Sequence, residues 1–153
     1  MSRFYEIIIF TAATKCYAEQ IRKILDPNNT IISHLLDRQF CFNPNSGSGK
    51  ESKLPFFKDL RKLNRDLSQT ILLDNSIYCF WYQINNGIPI ISYNKEKQND
   101  VELLKVENYL LQLIDVSDVR KHNREYFKLE EYEQHVDART LVEELYMESA
   151  SVY

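Results

Sequence analysis

The sequence predicts an α/β fold in which a mostly parallel sheet is covered by helices on both faces. Short runs of apolar, β-branched residues are typical of strands that are buried on both sides, as in parallel sheets. Along the 153-residue chain these runs alternate with segments whose apolar residues recur every three or four positions, which is typical of helices. A hydrophobic content of 44% and a charged content of 27% fit one globular domain with a core of its own.

The first strand and helix are predicted most clearly. Residues 5–10 (YEIIIF) form a continuous apolar run, which predicts a buried strand. Apolar residues then recur at helical spacing from Tyr17 to Leu25, and the Asp26-Pro27 pair ends this helix because proline disfavours helical backbone in the residue before it.

The remaining elements follow from the same patterns. A polar, glycine- and serine-containing stretch at 43–50 separates two apolar runs and predicts a hairpin with a long tip. The other predicted elements are a weaker strand at 30–33, hairpin strands at 40–42 and 54–57, a short basic helix at 60–67, strands at 71–74 and 88–93, and a helix at 103–114.

Charge and cysteine content narrow the classes of function. The net charge is −3 and no basic patch stands out, so we expect no direct contact with nucleic acid. The three cysteines form no CxxC pair, which argues against a disulfide framework or a zinc site and favours an intracellular, reducing compartment. The longest apolar run is far shorter than the ~20 residues that a membrane span needs, so no span is expected in this chain.

Polar side chains follow two of the predicted strands. In open α/β sheets, ligands bind beyond the carboxyl ends of the strands. Thr11 follows the first strand, and Asp74 and Asn75 end the strand at 71–74. A hydroxyl before a helix suits an anion, and carboxylate and amide oxygens suit Mg²⁺. The alternatives are a simple helix-entry threonine and an Asx turn.

Four stretches of sequence carry a resemblance to a known family. They are FTAATKCYAEQIRKILDP, FFKDLRKLNRDL, Asp74-Asn75-Ser76, and NNGIPI with NDVELL and DVSDVR after it. Together they resemble the C-terminal-domain phosphatases, the small phosphatases of the RNA polymerase II tail and their relatives (the NLI-interacting-factor-like family). This family belongs to the haloacid dehalogenase superfamily. The similarity runs over residues 1–120, and residues 121–153 form an acidic tail that is predicted to be helical.

The resemblance implies a Rossmann-like, three-layer sandwich with a mostly parallel sheet and a small β-hairpin insertion. It implies that Thr11 binds the transferring phosphoryl group and that Lys58 neutralises its oxygens. On the same grounds Asp74 and Asn75 hold Mg²⁺. For Lys58 the alternative is an ordinary solvated lysine.

Arg38 aligns with an arginine that lies near the substrate phosphate in the small phosphatases. Asp37 stands before it, where an aromatic residue is more usual. The alternative is therefore a surface ion pair between these two neighbours.

One motif of the superfamily is absent from these residues. The Asp-x-Asp that supplies the nucleophile and the general acid occurs nowhere in the 153 residues. The resemblance places its strand at the sheet centre, between the strands at 5–10 and 71–74, so this chain is expected to lack that central strand. We expect an N-terminally truncated fragment of a longer enzyme. As it stands, the chain would be poorly stable, close up differently or pair with another segment.

Two functional hypotheses follow. The first is the C-terminal portion of a Mg²⁺-dependent phosphatase that acts on phosphoserine or phosphothreonine proteins through an aspartyl-phosphate, in the nucleus or cytoplasm. The second is a non-catalytic pseudophosphatase or peptide-binding scaffold, like the presequence-binding subunit of the mitochondrial translocase. In either case we expect residues 1–153 alone to be inactive.

Overall fold

A computed structural model describes residues 1–43, 56–95 and 99–133 of the chain. Within these ranges four short strands alternate with helices, and both strand pairs are parallel, so the predicted α/β class is confirmed. The strands are β1 (Ile7–Phe10), β2 (Ile32–Leu36), β3 (Leu72–Asp74) and β4 (Gly87–Pro89), and the α-helices are α1 (Lys15–Leu25), α2 (Glu102–Gln112), α3 (Val119–Tyr126) and α4 (Leu129–Glu133). Short 3-10 helices cover Arg38–Phe40, Leu60–Leu63, Leu67–Gln69 and Ile77–Asn86.

The first half of the chain forms a β–α–β unit. β1 pairs with β2, and Phe10 lies opposite Leu36. Strand β2 starts at Ile32, two residues later than the sequence predicts. The reason is Asp26, whose buried carboxylate accepts hydrogen bonds from the N–H groups of residues 30–32 and so holds this segment in a turn before the strand begins.

The second half holds the core. β3 pairs with β4, and two clusters of buried side chains pack around these strands. The first cluster includes Leu72 and Phe80, and the second forms where Ile88 meets α2 and α3. All buried members of both clusters lie at or after Leu60, so the second half carries the packed interior.

Two predicted elements are shorter in the structure than in the sequence pattern. The helix predicted at 60–67 is a 3-10 turn that ends at Asn64, whose left-handed backbone (φ 52°) stops it. The strand predicted at 88–93 pairs only as far as Pro89, because β3 ends opposite it at Asp74. One further hydrogen bond, from Ile90 N–H to the Asp74 carbonyl (3.1 Å), closes the pairing.

The predicted hairpin is represented by one antiparallel bridge. Phe42 and Phe57 exchange backbone hydrogen bonds of 2.8 and 2.9 Å. The predicted tip and most of the second strand, residues 44–55, lie outside the described residues. The bridge nevertheless brings the segment around Arg38 alongside Lys58.

The predicted boundary at residue 121 falls inside a helix. α3 begins at Val119, which is buried, and Leu129 on α4 is fully buried against the first cluster. The described part of the acidic segment therefore packs on the domain. Residues 134–153, where most of the predicted helical tail falls, lie outside the described residues.

The two strand pairs form separate sheets. Within the described residues no strand connects β1 to β3. A cleft of about 650 Å³ lies between them instead. Of the helices that the structure describes, none has the length and apolar character to cross a membrane.

Candidate active site

Thr11 lies where the sequence predicts, just beyond β1. Its backbone N–H donates to the Leu36 carbonyl (2.8 Å), which extends the β1–β2 pairing by one residue. Its side-chain Oγ1 accepts a hydrogen bond from the Ala13 N–H (3.1 Å). The hydroxyl is thus oriented by the loop before α1 and keeps its own proton to donate to a ligand.

Arg38 packs against this same loop. Its backbone N–H donates to the Ala13 carbonyl (2.9 Å), and its side-chain Nε donates to the Ala12 carbonyl (2.6 Å). The guanidinium lies 5.3 Å from the centre of the Phe56 ring, within cation–π range. The side chain itself remains exposed. The structure therefore brings Arg38 next to the Thr11 loop, so that its remaining N–H groups can reach an anion bound there.

Asp37 and Arg38 do not form the local ion pair that was the alternative interpretation of Arg38. Asp37 is buried, and its carboxylate accepts from the backbone N–H (3.0 Å) and the side-chain amide (3.3 Å) of Gln39. No ion pair between the two neighbours occurs among the salt bridges of the described residues.

Lys58 is buried, and the alternative of a solvated lysine is wrong. Only 6% of the residue is exposed, and its Nζ forms a direct salt bridge with the Asp74 carboxylate at the end of β3. Its backbone N–H donates to the Cys79 carbonyl (2.8 Å). A buried charge is costly unless it is paired, so this cation has a fixed position and a fixed partner.

Asp74 and Asn75 differ in how they are held. The second oxygen of Asp74 accepts the Ser76 N–H (2.9 Å), so an Asx turn and the Lys58 salt bridge orient its carboxylate together. Asn75 is exposed, and its amide nitrogen donates to the Ser92 hydroxyl (3.0 Å). The amide oxygen of Asn75 is a further acceptor, or metal-ligand atom, at this strand end.

The donor chemistry of these two residues fits magnesium. Mg²⁺ prefers oxygen ligands and is commonly held by one or two carboxylates together with waters. Asp74 and Asn75 offer a carboxylate and an amide oxygen at one strand end. In the part of the chain that the structure describes, no group of three or more His, Cys, Asp or Glu side chains lies close enough together to hold a metal ion. Asp74 and Asn75 are therefore the two oxygen donors of the predicted magnesium site that lie together at the end of β3.

Sequence reasoning missed two cysteines beside these groups. The Cys41 thiol donates to the Thr11 carbonyl (3.6 Å), and the nearby Lys58 ammonium influences its ionisation. Cys79 lies against Lys58 and Asp74. The two thiols thus mark where the Thr11 loop approaches the Lys58–Asp74 pair. Nothing in the spacing of Cys41 and Cys79 along the sequence signals this.

Both thiols are protonated at neutral pH. Burial raises the pKa of Cys41 above its usual range, and the nearby cations offset this only partly. Burial, followed by the Asp74 carboxylate, raises the pKa of Cys79 to about 12. The nucleophilic form of cysteine is the thiolate, so neither residue replaces the missing aspartate as a nucleophile.

The sequence model of the "NLI interacting factor-like phosphatase" family matches residues 1–120. The chain belongs to this family. The suggested resemblance to this family is therefore confirmed.

Individual relatives agree with the family. The chain is 41% identical over 129 residues to "CTD small phosphatase-like protein 2" of Dictyostelium discoideum, covering 84% of this chain and 21% of that protein. It is 30% identical over 128 residues to "Mitochondrial import inner membrane translocase subunit TIM50" of Candida glabrata, covering 82% of this chain and 24% of that protein. The chain thus spans about a quarter or less of the length of either relative.

A solved structure of the fission yeast RNA polymerase II CTD phosphatase bound to beryllium fluoride is also similar. The match covers 82% of this chain and 35% of the chain in that structure, with 20% sequence identity and a TM-score of 0.47. At that distance the likeness does not bear on individual residues of the site.

Proposed function

We propose that this chain supplies the phosphate-binding and metal-binding part of a Mg²⁺-dependent protein serine/threonine phosphatase. The observation that carries the proposal is the buried Lys58–Asp74 pair at the end of β3, next to the Thr11 loop. A family phosphatase needs a fixed cation, a hydroxyl and a carboxylate around one phosphoryl group. Thr11 and Asp74 lie at the ends of β1 and β3, where α/β proteins bind ligands, and the salt bridge brings Lys58 to the end of β3.

Each residue has a separate task in this proposal. Thr11 donates its hydroxyl proton to a phosphoryl oxygen. Lys58 stabilises the charge that develops on the other oxygens, and its salt bridge with Asp74 holds the ammonium in place before the substrate arrives. Arg38, anchored to the Ala12 carbonyl, binds the phosphate from the exposed side.

Magnesium would be held by Asp74 and Asn75. When bound, the ion supplies Lewis-acid stabilisation of the phosphoryl oxygens. One oxygen of the Asp74 carboxylate already contacts Lys58, so with the ion bound this carboxylate would interact with both positive charges.

The nucleophile must come from outside these 153 residues, since they contain no Asp-x-Asp. We therefore expect residues 1–153 alone to show no phosphatase turnover. The protonated thiols of Cys41 and Cys79 give no substitute route. Measured Mg²⁺-dependent hydrolysis by this chain would contradict the expectation.

A chimera tests the proposal directly. The Asp-x-Asp strand of a catalytic family member would be fused ahead of Met1, and the product assayed on phosphoserine peptides and a chromogenic phosphate ester. We expect turnover that depends on Mg²⁺. Lys58→Ala and Thr11→Ala should each lower kcat by about 10²–10³, the usual effect of removing a group that stabilises a developing anion. Lys121→Ala, which removes an exposed lysine on α3, serves as the matched control.

Three results would reject parts of the proposal. A folded chimera without turnover rejects the catalytic role. Turnover that Lys58→Ala leaves unchanged rejects the role of that residue. Turnover in the absence of Mg²⁺ rejects the proposed requirement for the metal.

A non-catalytic binding module is the second candidate, and the similarity to a translocase subunit favours it. It predicts that the chain binds peptides without hydrolysing a phosphate ester, even as the chimera. Its partners would be extended peptides, whereas the phosphatase would act on phosphoserine or phosphothreonine proteins. The phosphatase proposal fits an intracellular site in the nucleus or cytoplasm, and the module fits the mitochondrion. Direct binding to nucleic acid is not proposed for either.

A further inference from the structure

Large apolar side chains are exposed together between the end of β4 and the start of α2. Ile91 and Tyr93 follow β4, and both are more than half exposed. Leu103 and Leu104 lie in the first turn of α2 and are also more than half exposed. The four side chains line one pocket of about 460 Å³, here called the α2 pocket. Neighbouring apolar side chains that are exposed in this way commonly mark an interaction surface.

The α2 pocket adjoins the candidate active site. Asn75 lines the pocket and directly follows Asp74 in the chain. Its side-chain amide donates to the hydroxyl of Ser92 (3.0 Å), another residue of the pocket wall, so the end of β3 is tied to the segment after β4. Consecutive Cα atoms are about 3.8 Å apart. The pocket wall therefore begins one such step from the carboxylate that pairs with Lys58.

This adjacency determines which residue of a bound peptide the pocket can reach. In an extended peptide, side chains two positions apart point to the same face and lie roughly 7 Å from each other. A phosphoserine whose phosphoryl group lies between Thr11 and Lys58 would occupy the candidate active site. The side chain two positions away is then the one that is suited to the α2 pocket.

The charges around the α2 pocket favour a particular kind of flanking residue. Among the described residues, the charged side chains that line it are Asp100 and Glu102. Glu102 is neutralised by a salt bridge with Lys105 (2.6 Å). One oxygen of Asp100 accepts the Glu102 N–H (2.9 Å), and Asp100 takes part in none of the salt bridges of the described residues. An apolar wall with this carboxylate at its edge suits an apolar side chain followed by a basic one.

We propose that the α2 pocket selects the substrate by binding an apolar side chain two positions from the phosphorylated serine or threonine, while Asp100 binds a basic side chain next to it. The inference rests on the proposed phosphatase function, because it names the class of phosphoprotein that the site accepts. Lys58 and Arg38 take the phosphate at one end of the peptide, and Asp100 takes the base at the other. Acidic flanking residues are disfavoured by repulsion from Asp100.

Fluorescein-labelled phosphoserine peptides, titrated against the 153-residue chain, test this selectivity. The reference peptide has alanine at every flanking position. Two others carry leucine two positions and arginine three positions from the phosphoserine, one on its amino-terminal side and one on its carboxyl-terminal side. We expect one of these two to bind about tenfold more tightly than the reference, because leucine is removed from water and arginine pairs with Asp100. Equal affinity of all three peptides would overturn the proposal.

A pair of variants on α2 tests the location. Leu104→Gln makes the pocket wall polar, whereas Leu111→Gln makes the same change at an exposed position on the helix outside the pocket. We expect Leu104→Gln to reduce the tenfold preference to less than about threefold, and Leu111→Gln to leave it unchanged. The same preference in both variants would place the leucine elsewhere and contradict the proposal.

A second pair of variants tests the charge. Asp100→Asn keeps an oxygen that can accept the Glu102 N–H but removes the negative charge. Glu107→Gln removes a charge from an exposed position on α2 and is the matched control. We expect Asp100→Asn to weaken binding of the arginine peptide about two- to threefold, less so in high salt, and to leave a version with alanine in place of arginine unchanged. An arginine preference that Asp100→Asn does not alter would reject the role of Asp100.

Unphosphorylated versions of the peptides separate this inference from the proposed function. If phosphate strengthens binding but the leucine–arginine pair does not, the proposed function stands and the selectivity of the α2 pocket is rejected. If phosphate does not strengthen binding at all, the proposed function fails, and this inference falls with it. We expect both the phosphate and the leucine–arginine pair to strengthen binding, and only the second effect to be sensitive to Leu104→Gln.

Discussion

The two halves of this molecule have similar secondary structure but are held together differently. The unit of β1, α1 and β2 buries few large side chains, and Tyr17, Ile24 and Leu25 of α1 are more than half exposed. The unit around β3 and β4 contains both clusters of packed apolar side chains. The first half relies on polar contacts, above all those of Asp26, and the second on hydrophobic burial.

The difference follows from the position of the cleft between β1 and β3. A strand pair needs cover on its faces and at its edges, and the cleft leaves the inner edges of both sheets uncovered. The second half compensates with α2, α3 and the 3-10 segment Ile77–Asn86, all of which pack on β3 and β4. In the first half, the cover of the strands comes from α1. The half with more helices packed against its strands therefore has the better-packed interior.

The sharpest test of this contrast is the same truncation made in each half. Phe80 is fully buried in the second half, and Phe80→Ala should lower the free energy of unfolding by about 3–5 kcal/mol. Phe10 is also buried but borders the cleft, so Phe10→Ala should cost clearly less, because the space it vacates opens into one that already exists. Chemical denaturation monitored by circular dichroism measures both. Equal losses would show that the two halves are equally well packed.

A smaller effect is expected from overpacking the same region. A Cβ on Gly87 would lie 2.1 Å from the Phe80 ring, which is closer than atoms can approach. Gly87→Ala should therefore destabilise the protein by about 1–3 kcal/mol. Combining it with Phe80→Ala should recover part of the loss, since the ring that clashes is gone. Strict additivity of the two changes would contradict this direct contact.

The polar support of the first half should depend on pH. Hydrogen bonds from the backbone N–H groups of Ile32, Ile31 and Thr30 hold the pKa of the Asp26 carboxyl below its usual value of about 3.9. A group whose pKa is lower in the folded state stabilises the fold above its unfolded pKa, and this contribution is lost as the pH falls through the folded pKa. Asp26→Asn should therefore be less stable than the parent at neutral pH.

Urea denaturation between pH 3 and pH 7 checks this expectation. The stability difference between parent and Asp26→Asn should be constant near neutrality and shrink in acid. Glu19→Gln, which removes the same charge from an exposed position on α1, is the matched control. A difference that stays constant down to pH 3 would show that the hydrogen bonds to Asp26 do not depend on its charge.

The smallest effect is expected at the salt bridge between Glu6 and Arg65, which joins the entry of β1 to the loop before β3. Glu6 and Arg65 are each more than a third exposed, so their salt bridge is screened by solvent. Arg65→Ala should lower the melting temperature only slightly, and less so in high salt than in low salt. The same variant should increase hydrogen exchange along β1 more than along β3. A large loss of stability at high salt would mean that packing of the arginine stem, rather than its charge, joins the two halves.

The sequence alone gave the α/β class, the order of the strands and the family. Strong local patterns allowed this, since the apolar run at 5–10 indicates a buried strand and Asp74 marks the end of another at 71–74. It also picked out Thr11, Arg38, Lys58, Asp74 and Asn75. Their roles as phosphate and metal ligands stay predictions.

Tertiary structure decided the rest, because the deciding contacts join residues that are distant in the chain. The burial of Lys58 follows from its salt bridge with Asp74, sixteen residues away, and the late start of β2 follows from the capture of three N–H groups by Asp26. The apolar cleft between the two sheets likewise depends on long-range contacts, such as the hydrogen bond from the Tyr5 hydroxyl to the Leu110 carbonyl. No local sequence pattern encodes such a contact.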